Sequence, residues 1–270
     1  RRSPSGDRRM TTADHRSAWL VPLAHDRAEQ TTLICFPFAG GSAQAFTAVA
    51  AGIPDGHRVL GVQLPGRGSR LREALLHRVA DIVEALVPEL AADGGGPYVF
   101  LGTSMGALVA FECARALRRR GLPPPAALVV VTARPPQLPD RGHDIHALPR
   151  EQLVVALQRY GGTPPAVLAE PDLMDLLLPM VRADFAATET YVHAAEAPLD
   201  VPIVALGGRE DPFVPVADLD GWAAQTCATY RQEVLDGDHF FYREPEALGR
   251  LCAVVAGQLL ATPSRVDADA

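Results

Sequence analysis

The chain has 270 residues, 48% of them hydrophobic and 21% charged, with a formal net charge of −7. A chain of this length buries roughly three quarters of its unfolded surface, enough for one large globular core. The acidic balance argues against a nucleic-acid partner, and no apolar run approaches the ~18 residues that a membrane helix needs.

Residues 1–16 are charged and lack the apolar stretch of a secretory signal. They read as a disordered segment ahead of a single domain over 17–262, with a second disordered tail at 263–270. Within the domain, core strands are expected near 31–36, 57–63, 98–102, 127–132, 201–206 and 229–235. Helices fit near 43–51, 75–91, 106–120, 218–225 and 244–260. In the last of these, Ala247, Leu248, Leu251, Val254, Val255, Gln258 and Leu259 give a mostly apolar face. Strand and helix in alternation imply an α/β fold whose mainly parallel sheet is covered on both faces.

Residues 135–199 break the alternation. The stretches 148–157 and 171–181 are helix-like and apolar on one side, and prolines and glycines between them suggest a loop or hinge. An insertion before the strand at 201–206 is positioned as a lid. Extra helices packed on the domain are the alternative.

The sharpest signal is Gly102-Thr103-Ser104-Met105-Gly106 between an apolar strand and an apolar helix. Gly-x-Ser-x-Gly in that setting is a nucleophile elbow. The turn holds the serine in a strained conformation, and the glycines remove side chains that would collide with the neighbouring strand and helix. A tight turn whose serine merely caps the helix is the plain alternative.

A serine alcohol needs a base, and the base needs an orienting acid. After an elbow serine, the acid and then the histidine follow in chain order. His239 lies in a loop directly after the strand at 229–235, where it can reach over the carboxyl edge of a sheet. His143 and His146 sit in a polar loop with no third ligand at metal-binding spacing. For the acid, the strand at 201–206 runs into Gly207-Gly208-Arg209-Glu210-Asp211-Pro212. Asp211 is preferred, its short side chain pointing back to the histidine, with Glu210 turned to solvent. The end of the strand at 127–132 offers Ala133-Arg134-Pro135 and no carboxylate.

An oxyanion site needs two backbone N–H groups, one from the residue after the nucleophile and one from the loop after the first core strand. These are expected to be Met105 and Phe38, with Ala39 the alternative to Phe38 in Cys35-Phe36-Pro37-Phe38-Ala39-Gly40-Gly41. A phosphate loop is disfavoured there, since no Gly-Lys-Ser/Thr or GxGxxG pattern follows.

The chain resembles the type II thioesterases that accompany polyketide and nonribosomal peptide synthetases, within the α/β-hydrolases. The residues that carry the likeness are Cys35 to Gly41, Gln63-Leu64-Pro65-Gly66-Arg67, Gly102 to Gly106, Ala133-Arg134-Pro135-Pro136, Gly207 to Asp211, and Gly237-Asp238-His239-Phe240-Phe241. The resemblance implies Ser104, Asp211 and His239 as triad and a helical lid at about 135–199. It also implies an acyl group on the phosphopantetheine arm of an acyl- or peptidyl-carrier protein as substrate. Thr103 departs from the family, which usually has histidine before the nucleophile; tuned rather than abolished activity is expected. Arg118-Arg119-Arg120 reads as a helix-dipole and solubility feature, with carrier docking the alternative.

Hydrolysis through an acyl-serine needs no cofactor and no metal. Cys35, Cys113, Cys227 and Cys252 form no CxxC pair, so reduced thiols in a cytoplasmic monomer are expected. Other readings of the same triad are a carboxylesterase or lipase, or an acyl-CoA or acyl-carrier-protein thioesterase of different chain-length preference. A non-catalytic hydrolase-like binding protein would need a broken triad.

Overall fold

A computed structural model of the protein describes residues 17–23, 31–93, 97–138 and 144–262. The expectations placed on 1–16, 263–270 and His143 fall outside the described residues.

The strands are β1 (Leu20–Pro22), β2 (Thr32–Phe36), β3 (Arg58–Val62), β4 (Tyr98–Thr103), β5 (Ala127–Val131), β6 (Ile203–Gly208) and β7 (Tyr230–Leu235). They form one sheet in the order β1-β3-β2-β4-β5-β6-β7, antiparallel only between β1 and β3. Every residue of β2, β5 and β6 is buried, as expected where helices cover both faces of a parallel sheet and the strands become continuous apolar runs. β7 closes one edge, with Arg231 and Glu233 paired to each other across its exposed side; charges on an edge strand discourage further pairing.

The helices are α1 (Thr47–Gly52), α2 (Val79–Ala92), α3 (Met105–Arg119), α4 (Arg150–Tyr160), α5 (Pro165–Leu168), α6 (Pro171–Glu189), α7 (Val216–Leu219) and α8 (Pro245–Leu260). Packed on one face of the sheet, α2 and α3 join Ile34, Phe36, Phe100, Leu128 and Val130 in one core. On the other face, α1 and α8 meet Leu33, Leu101, Val129, Val131 and Leu206. The insertion carries a third core of its own, built from Ile145, Leu153, Leu157, Met174, Leu178, Val181 and Phe185.

Four local differences separate the sequence reading from the structure. β1 was not expected; three residues ending in Pro22 give too short a pattern to read, and the proline is tolerated because the strand is an edge. α2 starts at Val79 rather than 75, because Arg78 is extended (φ −137°, ψ 138°) and Leu75 and Leu76 reach two different cores from irregular chain. The helix near 43–51 begins as a 3-10 turn over Ala43–Phe46. The helix near 218–225 divides into α7 and a 3-10 segment, Asp220–Gln225.

Candidate active site

Ser104 stands between β4 and α3 with φ 52° and ψ −120°. A left-handed φ costs a non-glycine residue of order 1–3 kcal/mol and needs surroundings that enforce it. Those surroundings are tight. A Cβ on Gly106 would lie 2.0 Å from the Phe36 carbonyl oxygen, and one on Gly102 would lie 2.4 Å from Ala107 Cα. Only hydrogen at both positions lets α3 start against β2 and β4 and lifts the serine above the sheet. The Ser104 N–H donates to the Val131 carbonyl at 2.9 Å, fixing the turn to β5.

The three side chains named from the sequence meet at this point. Ser104 Oγ lies 3.2 Å from His239 Nε2, and His239 Nδ1 lies 2.8 Å from Asp211 Oδ2. A carboxylate can only accept, so Nδ1 carries the proton and Nε2 is left to accept from the serine. The other Asp211 oxygen accepts the N–H groups of Phe213 (2.8 Å) and Val214 (3.1 Å). The carboxylate is thereby locked to the loop after β6. Glu210, the alternative acid, is exposed and accepts from the Gly237 N–H instead. It braces the histidine loop without reaching the ring.

Aromatic rings surround the imidazole. Tyr160, at the end of α4, stacks on Phe213 at 3.7 Å with the planes only 3° apart. Both rings meet His239 edge-on, at 5.8 and 5.6 Å, and Phe240 does so at 5.2 Å. Arg243 lies over Phe240 and donates to the Gly161 carbonyl, joining the segment after α4 to the histidine loop. The sequence reading named none of these contacts, because each depends on the path of the insertion.

Beside the serine opens a cavity of about 200 Å³. Phe38, Ala39 and Met105 line it at the serine end, and Leu108, Leu157, Val181 and Phe185 give it an apolar wall. Met105 opens α3, so its N–H belongs to the first turn, whose donors have no carbonyl partner within the helix. The Phe38 carbonyl accepts the Gly41 N–H at 2.8 Å, closing a turn in which Gly40 takes φ +80°.

A buried ionic network backs that turn. Arg67 reaches Asp184 of α6 by two parallel bonds of 2.7 Å and donates to the Gly41 carbonyl at 2.9 Å. Asp184 also accepts the Gly40 N–H at 2.7 Å. Sequence reading quoted Arg67 only within a motif and missed Asp184. The available signal was a carboxylate among the core-facing positions of an apolar helix, where charge is rare unless paired.

Thr103, where the resemblance expects histidine, is fully buried at the end of β4. Its hydroxyl and that of Tyr242 are both buried, and each is a polar neighbour of the other. Burial pushes the Tyr242 phenol up, with Thr103 among the groups acting on it. Thr132, after β5, keeps an unpaired hydroxyl and takes φ 47°.

The remaining candidates have structural partners. His146 Nδ1 lies 2.6 Å from Glu189, and among the described residues no cluster of three or more His, Cys, Asp or Glu could hold a metal. His193 stands by Arg115 and Tyr191, its pKa lowered by burial and then by the guanidinium. Arg118 and Arg119 pair with Glu196, and Arg120 with Glu84. They end a helix of 15 residues, about 22 Å from its start at 1.5 Å per residue. All four cysteines are free thiols, and burial pushes those of Cys35 and Cys113 up, away from the reactive thiolate. No helix of the described residues is long and apolar enough to cross a membrane.

Comparison with known proteins gives a consistent family. The thioesterase domain model matches residues 31–259. Gramicidin S biosynthesis protein GrsT of Aneurinibacillus migulanus is 37% identical over 235 residues, 87% of this chain and 92% of that protein. Thioesterase PikA5 of Streptomyces venezuelae is 34% identical over 238 residues, 87% of this chain and 83% of that one. The type II thioesterase BorB from the borrelidin biosynthetic cluster superposes with a TM-score of 0.83 at 33% identity, over 91% of this chain and 99% of that structure. The seven-stranded sheet with its elbow is thus the α/β-hydrolase form of a thioesterase, and the chain belongs to the thioesterase family, alongside the type II enzymes of polyketide and nonribosomal peptide biosynthesis.

Proposed function

We propose that the protein is an editing thioesterase that hydrolyses acyl groups from the phosphopantetheine arm of acyl- or peptidyl-carrier proteins, through an acyl-Ser104 intermediate. The observation that carries this reading is the continuous relay from Ser104 Oγ to His239 Nε2 at 3.2 Å and from His239 Nδ1 to Asp211 at 2.8 Å. Catalytic triads are recognised by that geometry and those roles.

His239 Nε2 takes the serine proton as Oγ bonds to the thioester carbon, and the carbonyl oxygen becomes an oxyanion. The Met105 and Phe38 N–H groups receive it, each such donor being worth about 10²–10³ in rate. Asp211 holds the imidazole and stabilises the imidazolium. Collapse breaks the C–S bond; the thiolate leaves and receives the proton from His239. A water then gives a proton to Nε2 and its oxygen attacks the acyl carbon. The C–Oγ bond breaks, and the proton returns to Ser104.

The insertion at about 135–199 is read as a lid: its helices form the apolar wall of the cavity and a core of their own. The protein is placed in the cytoplasm, in keeping with its free thiols. It is taken to act as a monomer; among the described residues its exposed large apolar side chains are Val155, Leu173, Leu176 and Val192 in the insertion, with Leu71 and Leu260 outside it.

Ser104→Ala tests the assignment. The variant should stay folded and lose release of free acid from acyl-carrier proteins, read by mass spectrometry over short to long chains. Undiminished turnover refutes it. Wild-type turnover confined to aryl esters makes the enzyme an esterase instead.

A further inference from the structure

The turn that supplies one of the proposed oxyanion donors is held by an ion pair from elsewhere in the fold. We propose that Arg67 and Asp184 are positioning residues for the oxyanion-binding loop, clamping it to helix α6 of the insertion. The inference rests on the reading of Phe38 and Met105 as oxyanion donors.

Three observations converge on the loop. Asp184 Oδ2 accepts the Gly40 N–H at 2.7 Å, and Arg67 Nη1 donates to the Gly41 carbonyl at 2.9 Å. Gln63, whose Nε2 donates to the Arg67 carbonyl at 2.8 Å, accepts the Ala43 N–H at 3.0 Å. The loop is therefore fixed at residues 40 and 41, within the Phe38–Gly41 turn, and at residue 43 just after it. Arg67 and Asp184 are joined by two parallel bonds, with side chains only 6% and 2% exposed. Such a fork fixes direction as well as distance.

The turn itself explains why direction matters. Gly40, with φ +80°, occupies the left-handed position of a Phe38–Gly41 turn closed by the Gly41 N–H. A glycine with φ > 0 at the third residue marks a type II turn, and its central peptide is the one that inverts in a type I turn. That peptide is Ala39–Gly40, and its N–H is the one Asp184 holds. Release it, and that peptide, two along the chain from the one bearing the Phe38 N–H, is free to invert, so the loop that aims the donor loses its fixed path. Since α6 belongs to the insertion, an opening that displaced residue 184 would also dismantle the oxyanion site.

A buried pair that loses one partner is strongly destabilised, whereas replacing both with apolar side chains of similar volume is often neutral or better. The discriminating protein is thus Arg67→Met combined with Asp184→Leu, with Arg67→Lys as the single, charge-conserving variant. Each is assayed with an acyl N-acetylcysteamine thioester, an alkyl trifluoromethyl ketone that forms a tetrahedral oxyanion on a nucleophilic serine, and the product carboxylic acid. The double variant should unfold at or near the wild-type temperature yet lose about 10- to 100-fold in kcat with little change in KM, as expected for a misplaced oxyanion donor. Trifluoromethyl ketone affinity should fall by the same factor, because only a transition-state mimic senses the hole; binding of the product acid should hold. Arg67→Lys should fall between the two.

A folded double variant with wild-type kcat and ketone affinity overturns the positioning role. So does a loss shared equally by ketone and product acid, which marks general damage. Two results instead sink the serine reading and the inference with it: a wild-type enzyme insensitive to the ketone, or inhibition that survives Ser104→Ala.

Discussion

On the sheet side of the cleft, the reacting groups are fixed by backbone. Ser104 hangs from β4 and donates to β5, and Asp211 is held by two N–H groups of its own loop. The insertion side is built differently. Its wall is made of Leu157, Val181 and Phe185, side chains that also form a core separate from the main ones. Ties that cross from this side to the chemistry include Asp184 to the oxyanion loop, Tyr160 to the ring of His239, and Gly161 to the histidine loop through Arg243. Attack and proton transfer need sub-ångström geometry, and strand ends supply it; a wall that only selects acyl shape tolerates side-chain adjustment. The contrast teaches that chemistry and selectivity are carried by elements of different rigidity, joined at a few identifiable contacts.

The largest effect belongs to the sheet side. Asp211→Asn keeps the shape of the side chain but removes the charge that holds the imidazole tautomer, and kcat should fall about 10⁴-fold. Stopped assays with an acyl thioester, run beside a thermal melt of the same protein, measure it. A loss of only a few-fold would place the orienting acid elsewhere and break the contrast.

Tyr160→Ala probes the crossing contact. Removing the ring strips Phe213 of its stacking partner and frees one side of His239, so kcat should drop about 10-fold, within the range that a misaligned group costs. Tyr160→Phe keeps the stack and should restore most of the rate. Equal activity in all three proteins would show that the insertion supplies walls alone, and that the two sides of the cleft divide their roles completely.

Thr103→Val is the smallest perturbation. It replaces a buried hydroxyl whose polar neighbour is the Tyr242 phenol with an isosteric methyl, so stability should change by no more than about 1 kcal/mol. Turnover should stay near wild type, as Thr103 is fully buried and is not among the residues that line the cavity. A strong loss of kcat without loss of melting temperature would give position 103 a part in the reaction.

The legible part of the molecule was the part with local signatures. Gly102 to Gly106 announces itself through spacing, and Asp211 and His239 each lie in the loop directly after a strand-like segment, where a sheet edge can bring them together. Alternation of strand and helix located six of the seven strands; β1 was too short to show a period. Illegible were contacts between segments far apart in the chain. Arg67 and Asp184 are separated by 117 positions, and Tyr160 meets Phe213 only because the insertion folds back over β6. Chain order carries no record of such meetings, although an aspartate among the core-facing positions Met180, Val181, Ala183 and Ala187 of α6 hints that a cation waits for it.

The left-handed backbone at Ser104 has an evolutionary side. Glycine would accept φ 52° without strain, so the substitution that erases the nucleophile would relax the turn. Loss of catalysis is then not opposed by folding at this site but favoured by it. Only selection for turnover keeps a side chain there, and an intact serine in that conformation is itself a sign of an enzyme still in use.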